Sequence, residues 1–149
     1  MTAASRNLRA MTYNLKHWNE SPPNAWADRR PVAKALIQKT RPDVIGTQEG
    51  FYQQLRDMDD DLPGYAWLGL GRDGGSHGEF MAVFYRTDRL DPVEYDHYWL
   101  SDTPEVIGSA TWGHGNRRMV TWIRFRDLET SVEGCNEFYF VNTHFDHAV

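Results

Sequence analysis

Only one cysteine, Cys135, occurs in 149 residues, so no internal disulfide can form and the disulfide-framework class of small secreted folds is excluded. No run approaches the roughly 20 apolar residues of a membrane span. The first ten residues carry Arg6 and Arg9 among small and polar neighbours, with no apolar core for a signal peptide. The expectation is a soluble, cytoplasmic protein, with export left open because a mis-assigned start would hide a leader. Positive charge is scarce as well: 16 Lys and Arg face 21 Asp and Glu, a net charge of −5. No global positive field draws nucleic acid or an anionic membrane, although a bound divalent cation would supply charge that this sum omits. Serine chemistry lacks a nucleophile elbow at a strand-to-helix turn. The glycine-rich stretch GRDGGSHGE, residues 71–79, lacks the Lys and Ser/Thr of a P-loop.

What is present is the composition of an ordinary globular domain, 40% hydrophobic and 25% charged, long enough to bury a core unaided. Strand signals fall at residues 8–15, 43–49, 64–70, 80–85, 93–100, 119–125 and 138–143. Two helices are expected. The first spans 29–39, with Asp28 as N-cap, Pro31 near the first helical position and Val32, Ala33, Leu36 and Ile37 as its apolar stripe. The second spans 51–60, with Phe51, Leu55 and Met58 on one face. Residues 101–117 read as a long irregular segment, a length that in compact domains usually serves a function. Six Trp stand out; Trp18, Trp26, Trp99 and Trp112 lie in or beside loops, where each can line a cleft or pack in the core.

FMAVFY, DVIG and FYFV are nearly continuous apolar runs, the pattern of strands buried on both faces. Two short helices cannot cover both faces of such a sheet. Dimerisation through the sheet, or membership of a larger domain, is therefore expected.

Three polar residues punctuate the ends of apolar strands: Asn14 after AMTY, Glu49 after DVIGTQ, and His144 after FYFVNT. Strand ends are where α/β folds collect ligands. Glu49 can ligate Mg²⁺ or Mn²⁺ through one oxygen, or simply favour the dipole of the helix that follows. Asn14 can orient a metal ligand or donate to phosphate, and can equally close an Asx turn. His144 can donate to a nonbridging phosphate oxygen or be structural. Asn142, His144, Asp146 and His147 form a dense polar cluster, but they are too close in sequence to supply a tetrahedral zinc set, and no Cys or HExxH accompanies them.

Taken in order, MTYN, PDVIGTQE, GEFMAVFYRTDR, WLSDTPE, NRRMVTWIRF and FYFVNTHFDH resemble the endonuclease/exonuclease/phosphatase family over residues 8–149. The resemblance implies an α/β fold, the N-terminal half of a four-layer α/β sandwich in which two mixed sheets are flanked by helices. It implies a metal-dependent phosphoester hydrolase of phosphodiesterase or nuclease type, working by in-line attack of water with Mg²⁺ or Mn²⁺. Asn14 and Glu49 then hold the metal and its phosphate, His144 contacts the scissile phosphate, and Arg72, Arg118 and Asn142 are substrate contacts. Substrates on this reading are small phosphodiesters, sugar or lipid phosphates, or nucleic acid, with no protein partner evident. The family's second half carries a Gly-Asp-x-Asn strand end and a terminal Asp-His pair that position and activate the water, and this second half is missing. The 149-residue chain is accordingly expected to be a truncated form with little activity and weak independent stability. The alternative is a catalytically dead phosphate-binding or protein-interaction module on the same scaffold.

Overall fold

A computed structural model describes residues 7–113, 115–130 and 136–146; Cys135 and His147, both singled out above, lie outside them. The elements run β1 (Ala10–Asn14), α1 (Trp26–Thr40), β2 (Val44–Gln48), α2 (Tyr52–Asp61), β3 (Tyr65–Leu68), β4 (Val83–Arg86), β5 (Leu90–Trp99), β6 (Met119–Asp127) and β7 (Glu137–Thr143). They form a four-stranded sheet in the order β1-β2-β4-β3 and a three-stranded sheet in the order β5-β6-β7. β1 and β2 pair parallel, which requires a long crossover, and α1 provides it. All other strand pairs are antiparallel.

β2 shows why its sequence is continuously apolar. Side chains alternate across a strand, and both faces of this one are covered. Ile45 joins Ile37, Leu55, Met58 and Phe84 beneath the two helices. Val44 joins Val83, Tyr85, Ile123 and Phe125 between the two sheets. The second face is thus covered by the three-stranded sheet rather than by a helix layer or a second copy. FYFV behaves differently from the expectation: β7 is an edge strand whose residues alternate, with Phe138 and Phe140 turned to the core and Tyr139 and Val141 exposed.

α1 begins earlier than its sequence suggests. Ala25 is the cap and Pro31 lies inside the helix, so Asp28 is a first-turn residue and not the N-cap. The reason is Trp26, whose ring is buried and whose indole Nε1 donates to Asp57 Oδ2 at 2.8 Å. At 3.6 residues per turn, a stripe through Trp26, Ala33 and Ile37 leaves Val32 and Leu36 about 80–120° round the helix. Both are exposed instead of buried. The expected strand at 80–85 is also shorter, because Phe80 forms isolated bridges to Gly50 and Gly71 before β4 begins at Val83.

The chain crosses from one sheet to the other between β4 and β5. Arg89 at this crossing is 1% exposed; its Nε and Nη2 donate to the two carboxylate oxygens of Asp127 at 2.8 Å each, and its Nη1 to Glu129 at 2.7 Å. Matching its donors in this way offsets much of the cost of burying a guanidinium. No helix among the described residues is long and apolar enough to cross a membrane.

Candidate active site

β1, β2 and β7 deliver their C-terminal ends to one place. Asn14 pairs with Gln48 in the β1–β2 ladder, so Glu49 follows directly beside it. The other neighbour, β7, is held against β2 by Asn142. Its side chain is buried and bridges the sheets: Nδ2 donates to Thr47 O at 2.8 Å and Ala82 O at 3.0 Å, while Oδ1 accepts from Gln48 Nε2 at 2.8 Å. Gly46 makes this approach possible, since a Cβ there would stand 2.7 Å from Asn142 Oδ1. Two residues beyond Asn142, His144 emerges next to Glu49.

The resulting geometry is close. Asn14 Nδ2 donates to Glu49 Oε1 at 2.9 Å, and His144 Nε2 lies 3.8 Å from the same oxygen. The His17 backbone N–H donates to Glu49 Oε2 at 3.3 Å. Lys16 and Glu49 both hold positive φ, 52° and 61°, a left-handed conformation that non-glycine residues adopt at a cost and that concentrates at functional sites. The turn carrying Lys16 is fixed from behind. Gln54 Nε2 donates to Lys16 O at 3.0 Å, and the Arg29 guanidinium donates to the carbonyls of Leu15, Lys16 and His17.

Burial pushes the Glu49 carboxyl up, but hydrogen bonds from Asn14 and His17 and the nearby imidazoles more than offset it and hold it below its ordinary value. Glu49 is therefore an anion at neutral pH. Burial and the Arg118 guanidinium together hold His144 below its ordinary value, against the opposing pull of Glu49 and Glu79.

Among the described residues no three His, Cys, Asp or Glu side chains group as a ready-made metal cage. The donor set instead fits a site with a single protein carboxylate, the usual arrangement for Mg²⁺, in which waters and phosphate oxygens complete the shell. Asn14 has both ends of its amide engaged, Nδ2 with Glu49 and Oδ1 with Lys16 N at 2.8 Å. It orients the carboxylate and closes an Asx-type turn at once.

The other sequence candidates sit at different depths. Arg118 is buried, with Nη1 3.1 Å from His144 Nδ1 and Nη2 3.6 Å from Asp146 Oδ1. Arg72 pairs with Glu79 at 2.8 Å across the glycine-rich loop, and Trp99 Nε1 holds that loop by donating to Arg72 O. Trp26 and Trp99 are core residues, whereas Trp18 and Trp112 are exposed. His17, Gln54, Glu79 and Asn116, whose Nδ2 donates to Asp146 Oδ1 at 3.2 Å, also belong to this neighbourhood and were not singled out from sequence. Only the proximity of His17 to Asn14 could have signalled one of them. A guanidinium between His144 and Asp146 further disfavours zinc at that cluster.

Replacing Asn142 by Ala is expected to cost about 2–4 kcal/mol, since three buried hydrogen bonds go and a cavity opens between the sheets. Urea denaturation checks it. A side chain acting only as a substrate contact would leave the midpoint unchanged.

A model of the endonuclease/exonuclease/phosphatase family matches residues 11–145. Among solved structures, a family member from Bacteroides thetaiotaomicron is 40% identical, with a TM-score of 0.87 over 95% of this chain and 50% of the other. A mannosyl-6-phosphatase from the same organism is 40% identical, with a TM-score of 0.88 over 96% of this chain and 53% of the other. The catalytic domain of human Nocturnin, solved with a bound sulfate anion, shares the fold at 15% identity and a TM-score of 0.68, over 93% of this chain and 49% of the other. No curated protein matches. The chain spans about half the length of the solved structures it matches.

Proposed function

The chain belongs to the endonuclease/exonuclease/phosphatase family, and on that premise we propose that it serves metal-dependent hydrolysis of a phosphoester by in-line attack of water. One observation carries the reading: a carboxylate, an amide and an imidazole from three strand ends meet within 2.9 and 3.8 Å. Glu49 would hold Mg²⁺ or Mn²⁺, which when bound polarises a phosphoryl oxygen and offsets the charge that develops there. Asn14 keeps the Glu49 carboxylate aimed. His144 donates a hydrogen bond to a nonbridging phosphate oxygen, and Arg72 stands ready for a charge-assisted contact with phosphate.

The substrate we favour is a sugar phosphate. The 40%-identical mannosyl-6-phosphatase supports this class, and a net charge of −5 gives no general attraction for long nucleic acid. Small phosphodiesters, lipid phosphates and nucleic acid form the comparison set. A panel of these esters, assayed with Mg²⁺ or Mn²⁺ on the longest natural protein containing this chain, should show the sugar phosphate cleaved fastest. Absence of hydrolysis across the panel, with phosphate still bound, would instead favour a catalytically dead phosphate-binding module.

The 149 residues contain no Gly-Asp-x-Asn strand end, the family segment that positions water. A general base is worth about 10² to 10⁴ in rate. The isolated chain with Mg²⁺ is therefore expected to turn over bis(p-nitrophenyl) phosphate barely above background, and brisk cleavage would show that its own residues activate water.

A further inference from the structure

Arg118 immediately precedes β6, and its carbonyl accepts from Leu100 N at 2.8 Å, so its backbone is fixed by the sheet. The side chain is 7% exposed and lies against His144, with Nη1 3.1 Å from Nδ1. A guanidinium has five donors and no acceptor, and it does not deprotonate in proteins. Nδ1 must therefore present a lone pair. In a neutral imidazole the proton then resides on Nε2, the nitrogen that faces Glu49 Oε1 at 3.8 Å.

We propose that Arg118 is a positioning residue that fixes His144 as its Nε2–H tautomer, making the imidazole a hydrogen-bond donor toward the anionic side of the site and excluding it as a base through Nε2. The inference rests on the phosphoester reading only for its catalytic meaning; the tautomer follows from the contact alone. Carboxylates commonly orient histidines by accepting from Nδ1–H, which leaves Nε2 free to take a proton. A guanidinium in that place reverses the polarity. His144 can then hold a phosphate oxygen but cannot accept a proton from the attacking water, so that task falls to another group.

The arrangement is costly, which argues against accidental packing. Arg118 Nε is buried with no hydrogen-bond partner among the described residues, at about 1–3 kcal/mol for such a group. Nη2 lies 3.6 Å from Asp146 Oδ1, which also accepts from Asn116. The guanidinium is thereby held between His144 and Asp146, and is not offered as a fork to substrate.

Nitrogen NMR of ¹⁵N-histidine-labelled chain tests this without substrate or metal. The His144 signals are identified by their loss in His144→Gln. The expected spectrum near neutral pH shows a pyridine-type Nδ1 and a pyrrole-type Nε2, with Nδ1 displaced from its native position in Arg118→Met and largely restored in Arg118→Lys, which still donates. A pyrrole-type Nδ1 in the native protein, neutral or protonated, overturns the proposal, as does an Nδ1 resonance unmoved in Arg118→Met. Should Arg118→Met not fold, the native spectrum decides alone. Because no turnover is measured, a negative result leaves the hydrolase reading standing, and a failed hydrolase assay leaves the tautomer assignment standing.

Discussion

Substituting Glu49 by Gln is expected to lower kcat of the active protein by on the order of 10³ or more. The change keeps the shape and removes the charge. Several kcal/mol of charge stabilisation depend on a metal held in place, and each 1.36 kcal/mol is about tenfold in rate. Asn14→Ala should cost less, roughly 10–100-fold, because Asn14 acts through the carboxylate it orients. Steady-state kinetics at saturating Mg²⁺ separate the two. Equal losses would mean that Asn14 touches metal or phosphate itself, and an unimpaired Glu49→Gln would remove the carboxylate from the chemistry altogether. A second readout needs no turnover: Mg²⁺ should raise the melting temperature of the native chain and fail to raise that of Glu49→Gln.

Arg89→Ala is expected to destabilise the fold by about 3–5 kcal/mol, the cost of breaking a buried ion pair by removing one partner. Arg89 is the largest fully buried side chain among the described residues, and it anchors the crossing between the sheets through Asp127 and Glu129. Its loss leaves Asp127 charged and half-enclosed. Denaturant titration measures the effect, and a change below about 1 kcal/mol would show that water replaces the guanidinium freely. The paired substitution Arg89→Met with Asp127→Leu should recover much of the loss, since apolar replacement of this buried pair restores packing and leaves only the 38%-exposed Glu129 to be solvated by water.

Much of the site could be read along the chain because its chemistry sits at strand ends. DVIGTQE announces both a doubly buried strand and the acid that terminates it, and AMTYN and FYFVNTH do the same for an amide and an imidazole. What misled was periodicity where tertiary contacts override it. Val32 and Leu36 fit a helical stripe, yet Trp26 sets the rotation of α1 by finding Asp57. FYFV looked enclosed, but apolar residues at an edge strand can face water, and Tyr139 and Val141 do.

The sequence by itself determined the elements and the three polar residues at strand ends, because each is a local property of spacing and residue type. Only the tertiary structure decided what those residues do to one another. Asn142 joins Gln48 across 94 positions and Arg118 meets His144 across 26. No local pattern records which buried donor finds which acceptor; that is settled when two sheets pack and most enclosed polar groups must be matched within the space left to them.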